Sequence, residues 1–565
     1  MTEATAELDR LAAEFWAGTL AAGPLEATAT GIREYDDRID DITPAAIAAE
    51  RARLERVAAE AAAIPEGELS AAERVTRSIL IETCSSEASV RGLGLEDWTI
   101  DPMNGWPVQV LDIPSYQIVE TPAQARAMVA RWRRIGPLLD DYVASLRRGL
   151  ADRRVAVATP VRRVLDTVTD AVAASDDENA LLEPLRTPHD DWSEAERSAF
   201  RDGLTGTVHD AIRPAFVRLH AFLADEVTPR VRPDDEPGLG RLPGGQEAYR
   251  TLVRHHTTLV ASPEELHAVG LSEIARIDAE MERLGASVLG AADRDDTARR
   301  LRTDPAMHFT TRAEVEADAR ESLARANEAV PAWFGRLPVT PCEVVPMPAH
   351  EEAHSSVAYY RQAALDGSRP GQYYINTSRP ETRPRYESRC LAYHESVPGH
   401  HLQIAIGQEL TELPDFRRHL GPTAFFEGWG LYTERLADQM GLYATDIDRL
   451  GMLSMDAWRA CRLVVDTGMH AFGWTRQQAI DYMTAHTALA ENNIANEVDR
   501  YIAWPAQALG YKAGQLEILA IRGEAERRLG GRFDIRAFHD TVLGNGAIPL
   551  PTLRAVVEAA PADLP

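Results

Sequence analysis

Apolar residues recur at three- and four-residue intervals through most of the first two-thirds of this chain, which places them on one face of an α-helix. The segments with this pattern are rich in Ala, Leu, Glu and Arg and contain few internal Gly or Pro residues, so they favour helix formation. They cover residues 44–63, 122–148, 194–226, 263–289 and 312–329. The sequence therefore predicts a mainly α protein.

Turn and capping residues divide this helical pattern. Thr121-Pro122 and Ser262-Pro263 each place a capping side chain before a proline, an arrangement that commonly opens a helix. Residues 234–246 are rich in Gly and Pro and predict a surface loop at the end of an N-terminal helical half. Residues 338–384 alternate short apolar pieces with turn residues, which predicts a small β element.

Charge and cysteine content restrict the partners and the location. The 565 residues include 60 Lys plus Arg and 87 Asp plus Glu, a formal net charge of −27, so we expect neither nucleic acid nor an anionic membrane as a partner. The N-terminus lacks the basic and apolar regions of a secretory signal, and no apolar run of about 18 residues could span a bilayer. The cysteines are scattered without a CxxC pair, which favours a cytoplasmic protein. They are Cys84, Cys342, Cys390 and Cys461.

The densest chemical cluster lies at residues 393–403, YHESVPGHHLQ, within an otherwise helical pattern. Zincin peptidases use HExxH, in which two His residues four apart bind zinc and the Glu activates a water molecule. Here the fourth residue after His394 is Pro398, so the spacing differs. Pro398 cannot donate the hydrogen bond that an α-helix needs and its ring crowds the preceding turn, so we expect a kink or a bulge.

Two histidines compete for the place of the second ligand. On a straight helix His400 would lie about 240° around the axis from His394, whereas a bulge that absorbs two extra residues would bring it onto the same face. His401 would return to that face without a bulge, but about 10 Å along the axis, which is long for two imidazoles on one metal. We therefore rank His400 above His401 as the second ligand.

The third ligand of a catalytic zinc must come from another segment. Residues 424–434, AFFEGWGLYTE, predict a helix that carries two acids among apolar residues, and a buried carboxylate needs a partner such as a metal. Glu427 lies 27 residues after His400, which suffices for a turn and an antiparallel helix. Geometry favours Glu427 as the ligand and Glu434 as the residue that orients a ligand histidine.

These motifs resemble a known family. HESVPGHHLQ, FFEGWGLYTE, VVDTGMHAFGW and DRYIAWPAQALGYKAGQLE are similar to the domain of unknown function 885 family, with its HExxPGH signature. Its fold is similar to that of thermostable metallocarboxypeptidases (the carboxypeptidase Taq family) and, more distantly, to thimet oligopeptidase and angiotensin-converting enzyme. The resemblance implies a two-lobed, helical, zincin-like fold with a deep central cleft. The halves 1–240 and 241–565 would then form one continuous cleft-bearing unit.

The resemblance also implies roles for individual residues. It assigns His394, His400 and Glu427 as ligands of one Zn²⁺ per chain, with Co²⁺ or Mn²⁺ as substitutes. Glu395 would be the general base that takes a proton from the attacking water and passes it to the leaving amine. Candidates for the donor to the tetrahedral oxyanion are Tyr501, Tyr511, His470 and Lys512, the only lysine in the chain. Arg500 and His401 are candidates for substrate binding, since an arginine pairs with a substrate carboxylate.

Three functional hypotheses follow. The first is a zinc-dependent peptidase, carboxypeptidase- or oligopeptidase-like, that hydrolyses short peptides. The second is a metal-dependent amidohydrolase that acts on a small non-peptide amide. The third is a non-catalytic relative that binds a peptide or a metal. As a protein partner we allow only for a second copy of the chain, in a homodimer.

Overall fold

Helices dominate the computed structural model, which describes residues 2–348, 352, 356–365, 367 and 369–560. The α-helices up to the Gly- and Pro-rich loop are α1 Glu3–Ala22, α2 Pro24–Ala29, α3 Pro44–Ala63, α4 Ala71–Arg91, α5 Trp106–Tyr116, α6 Pro122–Ala151, α7 Ala158–Ala173, α8 Glu194–Thr207 and α9 Arg213–Phe222. Those after it are α10 Gly245–Thr257, α11 Pro263–Leu289, α12 Arg294–Thr303, α13 Arg312–Ala329, α14 Arg385–Glu395, α15 His400–Glu409, α16 Asp415–His419, α17 Thr423–Gln439, α18 Asp446–His470, α19 Arg476–His486, α20 Glu491–Ala503, α21 Leu509–Leu529, α22 Ile535–Leu543 and α23 Leu550–Ala559.

The predicted helix positions agree closely with this arrangement. α3, α11 and α13 have the predicted bounds, and the mainly α class is confirmed. Thr121 and Ser262 cap α6 and α11, and in both cases the residue at the third helical position bonds back to the cap. The pattern over 194–226 is continuously helical, and π-helical turns at Val208–Ile212 and Leu223–Val227 flank α9 within it.

A small sheet precedes α14. Its strands are β1 Cys342–Pro346, β2 Ala358–Arg361 and β3 Gly371–Ile375, in the order β1-β3-β2. β1 runs parallel to β3, with Val344 beside Tyr373, and β2 runs antiparallel to β3. The β element predicted within residues 338–384 is therefore confirmed.

Two large apolar cores hold the helices together. One combines α1, α3 and α4 with helices from α11 to α23, and the ring of Phe15 in α1 lies 5.4 Å from that of Phe416 in α16. The other is built largely from α5 to α9. Segments on both sides of position 240 thus share the first core. The division into 1–240 and 241–565 stays a prediction.

A cleft of about 2480 Å³ receives side chains from both parts of the chain. Its lining includes residues of α5 and α7, which we call the N-terminal wall, and residues of β2, α15, α17 and α20. His400 and Glu427 are among the lining residues. Among the described residues, no helix combines the length and the apolar character that crossing a membrane requires.

Candidate metal centre

The two histidine candidates lie on either side of a helix break. α14 ends at Glu395 and α15 begins at His400, so the predicted bulge is in fact an interruption of four residues. Pro398 explains the interruption, because it lacks a backbone N–H and its ring crowds the preceding turn. At Gly399 the chain passes so close to α14 that a Cβ atom would lie 1.9 Å from the His394 carbonyl oxygen. The break therefore turns the chain back beside His394.

Three side chains converge at this break. The rings of His394 and His400 have centroids 4.6 Å apart, and Glu427 of α17 lies against both. Its Oε2 is 3.5 Å from His394 Nε2 and 3.4 Å from His400 Nε2. These distances are long for hydrogen bonds. They match the separation of about 3.3 Å between two ligand atoms that each lie about 2 Å from a tetrahedral zinc.

Glu434 fixes the orientation of His394. Its Oε1 lies 2.9 Å from His394 Nδ1, and both side chains are buried. Because an ionised carboxylate only accepts, Nδ1 carries a proton, and Nε2, which faces Glu427, is the nitrogen that remains for a metal. Arg459 lies 3.5 Å from the same carboxylate oxygen and keeps the pKa of Glu434 below its usual value despite burial. The position predicted for Glu434, behind a ligand histidine, agrees with this arrangement.

The charges within the cluster suit a divalent cation. Burial alone would lower the pKa of His394, but the carboxylates of Glu427 and Glu434 outweigh it and raise that pKa to about 9. Burial opposes ionisation of Glu427 as well, yet the two imidazoles hold its pKa well below the usual value. Two imidazoles and one ionised carboxylate are a common donor set for catalytic zinc, which would displace the His394 proton. The residues present therefore fit the metal.

Glu395, the expected general base, is the last residue of α14 and directly follows His394. The positive charges of His394 and His400 favour ionisation of its carboxylate, whereas Glu427 opposes it. Burial nevertheless raises its pKa above the usual value. A carboxylate with increased proton affinity at this position can take a proton from a water molecule and return it.

His401 does not join the cluster. Its Nε2 donates to the Thr340 carbonyl at 3.1 Å, so its Nδ1 accepts from the Tyr360 hydroxyl at 3.1 Å. Burial lowers its pKa to about 4, so the ring is neutral. The side chain thus ties α15 to the small sheet, and the substrate-binding role expected for His401 does not fit these contacts.

Tyr511, the remaining oxyanion candidate, lies against two arginines. Burial and the Glu427 carboxylate raise the pKa of its hydroxyl. Arg500 donates to that hydroxyl at 3.4 Å, and Arg462 lies 4.0 Å from the ring centre. Arg500 also pairs with Glu497 at 3.3 Å, so the guanidinium expected to bind a substrate carboxylate already has an anionic partner. These contacts fit a role in holding Tyr511.

Tyr501 and His470 contact each other and residues outside the cluster. The Tyr501 hydroxyl donates to Glu497 at 2.7 Å and accepts from Arg462 at 2.9 Å. His470 Nε2 donates to the Tyr501 carbonyl at 3.0 Å, and its Nδ1 accepts from the Leu239 amide at 2.9 Å. Both side chains are thereby engaged in structural bonds, and the oxyanion role expected of them does not fit.

Lys512 belongs to a buried ionic network. Its ammonium lies 2.7 Å from Asp456, 2.7 Å from the Gln515 side-chain oxygen and 3.0 Å from Glu273. Three acceptors use all three N–H groups of a lysine. The oxyanion role expected for Lys512 does not fit these contacts.

Two residues that complete the site escaped the sequence analysis. Arg459 is only 3% exposed and lies behind Glu434. In the sequence, an arginine among the apolar residues of α18 could have indicated a buried ion pair. Gly430 faces the His394 ring, where a Cβ atom would lie 2.6 to 2.9 Å from three ring atoms. In the sequence, Gly430 follows Glu427 by three residues, and this spacing on one helix could have indicated that it faces the same site.

Comparison with known proteins concerns the family and the fold. The chain is similar to a "putative lipoprotein" from Colwellia psychrerythraea, with 26% identity, a TM-score of 0.91 and 99% of each chain covered. It resembles in fold a "putative lipoprotein of unknown function" from Shewanella oneidensis, with 18% identity, a TM-score of 0.75, and 98% of this chain and 99% of that chain covered. No curated protein matches it. Residues 24–557 match the family described as "Bacterial protein of unknown function (DUF885)", and the protein therefore belongs to that family.

Proposed function

We propose that this protein is a zinc-dependent peptidase that hydrolyses short peptides in the manner of a carboxypeptidase or an oligopeptidase. The observation that carries the proposal is the convergence of His394, His400 and Glu427 at ligand-to-ligand distances. Glu395 directly follows His394 in the chain. The cleft, at about 2480 Å³, exceeds the roughly 300–1,000 Å³ typical of small-molecule pockets, which favours a peptide over a small amide. The proposal includes a two-lobed, zincin-like fold related to the thermostable metallocarboxypeptidases.

The chain supplies a group for each step of amide hydrolysis. A zinc ion held by His394, His400 and Glu427 would supply a Lewis acid that stabilises negative charge on the carbonyl oxygen of the substrate. Glu395 takes a proton from the attacking water as the C–O bond forms, and gives it to the leaving amine as the C–N bond breaks. Tyr511 donates a hydrogen bond to the oxygen that gains the negative charge.

Metal content tests the ligand set. Elemental mass spectrometry of the purified protein is expected to find about one zinc per chain, as a catalytic site requires. His400→Ala and Glu427→Ala should lose the metal. His401→Ala is the matched control, because the adjacent histidine bonds to Thr340 and Tyr360 instead, and it should keep the metal. A wild-type protein that binds no transition metal even after reconstitution would contradict the proposal.

Glu395→Gln tests the chemistry separately from the metal. We expect this variant to retain zinc and to lose hydrolysis by roughly 10²- to 10⁴-fold, the usual contribution of a general base. The substrate screen should include short peptides and N-acylated small amines. Cleavage of the amines alone would favour the amidohydrolase hypothesis, and a zinc-loaded protein that cleaves neither class would favour the non-catalytic one.

A further inference from the structure

One flank of the cleft beside the metal centre is apolar. Ile404 lies one turn after His400 on α15, so the two side chains share a helix face. Phe426 directly precedes Glu427 on α17. All four residues line the cleft, and both apolar side chains are only partly buried. An apolar surface therefore begins within one helical turn of the ligands.

Three uncharged residues close to Phe426 in the chain also line the cleft. They are His419, Gly421 and Thr423. Burial lowers the pKa of His419 to about 4, so its ring is neutral at physiological pH, and the ring lies 5.5 Å from that of Trp16. We call Ile404, His419 and Phe426 the apolar flank. None of these three residues carries a charge that would attract a charged side chain.

The lining from α20 has a different character. It presents the carboxamides of Asn492, Asn493 and Asn496, and none of these makes a side-chain hydrogen bond to a described residue. Free carboxamides can both donate to and accept from a peptide main chain. Partly exposed apolar side chains bounded by such polar groups are typical of a ligand pocket. The cleft lining therefore offers apolar side chains from α15 and α17 and carboxamides from α20. The former suit a side chain of a bound peptide, and the latter suit its main chain.

We propose that the apolar flank is a specificity pocket for an apolar side chain, Leu- or Phe-like, on a residue adjacent to the scissile bond. This inference rests on the proposed peptidase function and names its substrate class. It follows from position, because a residue next to the scissile bond is the one whose side chain can reach a surface one turn from the metal ligands. A Lys or Asp side chain there would lose hydration without gaining a partner.

The test uses zinc-loaded full-length protein and alanine-based pentapeptides in which one position carries Leu, Phe, Ser, Asp or Lys. Mass spectrometry locates the cleaved bond and gives kcat/KM for each peptide. We expect Leu or Phe beside that bond to be preferred over Asp by roughly 10- to 100-fold, as for contacts in an apolar pocket. Ile404→Ala and Phe426→Ala should each reduce this preference severalfold, and Ile404→Arg should favour Asp over Lys. Val108→Ala, in the N-terminal wall of the same cleft, is the matched control and should change nothing.

Binding provides an independent readout. Calorimetric titration of the zinc-loaded Glu395→Gln protein with the Phe and Asp peptides should show tighter binding of the Phe peptide, and Phe426→Ala should remove the difference. Equal binding of the Phe and Asp peptides would overturn this inference alone. A preference for Leu or Phe that persists in both Ile404→Ala and Phe426→Ala, with unchanged zinc content and melting temperature, would do the same. Absence of all cleavage by the zinc-loaded protein would instead overturn the proposed peptidase, while the binding comparison would still decide the apolar flank.

Discussion

At the scale of single residues, the centre depends on what each nitrogen of His394 faces. Nδ1 meets Glu434 at 2.9 Å, and Nε2 meets Glu427 at 3.5 Å. Glu434 thus fixes the tautomer of His394, while Glu427 would bind the same metal ion as His394. A histidine without Glu434 would be free to rotate or to reverse its tautomer.

We expect Glu434→Ala to lower zinc affinity by roughly 10- to 100-fold, the usual effect of removing a group that orients a ligand. Competition with a chromogenic chelator measures the affinity. Asp438→Ala is the matched control, because Asp438 is an acid on the same helix that forms an exposed pair with Arg449. Unchanged affinity in Glu434→Ala, with an intact melting transition, would refute the role given to Glu434.

Asp466 predicts a pH dependence of stability. It is buried and accepts hydrogen bonds from the Tyr249 hydroxyl and the Ala506 amide, yet burial dominates and raises its pKa to about 7. The unfolded carboxyl has a pKa near 3.9, so the folded state binds this proton more tightly. The stabilisation from this group is complete below about pH 4 and is lost as the pH rises to about 7.

Urea denaturation of the wild type and Asp466→Asn at several pH values isolates this group. The free energy of unfolding of the wild type, relative to the variant, should fall between about pH 4 and pH 7 and stay constant above. A difference that is independent of pH across this range would mean that the carboxyl ionises normally in the folded protein.

At the scale of elements, the helices could be predicted from the sequence, but the form of the break between α14 and α15 could not. Periodicity and caps depend on local preference, which is why α3, α11 and α13 were predicted with correct bounds. The residues on both sides of the break also prefer helix, so the sequence indicated a distortion at Pro398 without distinguishing a bulge from an interruption.

The roles of Lys512 and His470 could not be read from the sequence for a different reason. Both stand in motifs that resemble the family, and both carry reactive groups. Their partners, Asp456 and Glu273 for the lysine and Leu239 for the histidine, come from distant helices or loops. Contacts between elements far apart in the chain decided their environment, and no local pattern reports such contacts.

The lack of a side chain at Gly430 allows α17 to pack closely against the His394 ring of α14. A Cβ atom at this position would lie 2.6 to 2.9 Å from the His394 ring, so Gly430→Ala must displace that ring. We expect about 1–3 kcal/mol of destabilisation from overpacking, together with weaker zinc binding. Denaturant titration and chelator competition measure the two effects.

Gly523→Ala provides the matched control for Gly430. It is also a helix-interior glycine, in α21, but the nearest atom to a new Cβ is Nη1 of Arg527 at 3.7 Å. Alanine should therefore be neutral there or stabilise the protein by about 0.4–1 kcal/mol. If both variants bind zinc like the wild type, Gly430 does not set the position of His394.

At the scale of the whole molecule, the helices that precede position 240 divide between two apolar cores, one built largely from α5 to α9 and one shared with later helices. α1, α3 and α4 share an apolar core with helices from α11 onward, and α5 and α7 supply lining to the cleft that contains His400 and Glu427. The N-terminal part thus shares a core with the later helices and also forms a wall of the cleft. Because apolar burial is the main driving force of folding, this shared core is what holds the two parts together.

The fragments 1–240 and 241–565, expressed separately, are therefore expected not to reach the native state, since each exposes its side of the shared core. Circular dichroism should show helix without a cooperative thermal transition for 241–565 alone. Mixing the two fragments should restore the transition and the zinc affinity of the intact chain. A cooperative, zinc-binding 241–565 fragment would show that the predicted division at 240 is a boundary between independent domains.

Two matched phenylalanine substitutions test the same interface in the intact chain. Phe15 is 2% exposed and meets Phe416 across the shared core, whereas Phe472 is 40% exposed. Phe15→Ala should lower the free energy of unfolding by about 3–5 kcal/mol, the usual cost of emptying an aromatic core position. Phe472→Ala should cost far less, because most surface substitutions change stability by about 0.5 kcal/mol or less. Equal effects in denaturant titration would mean that the contact between α1 and α16 contributes little to holding the two parts of the chain together.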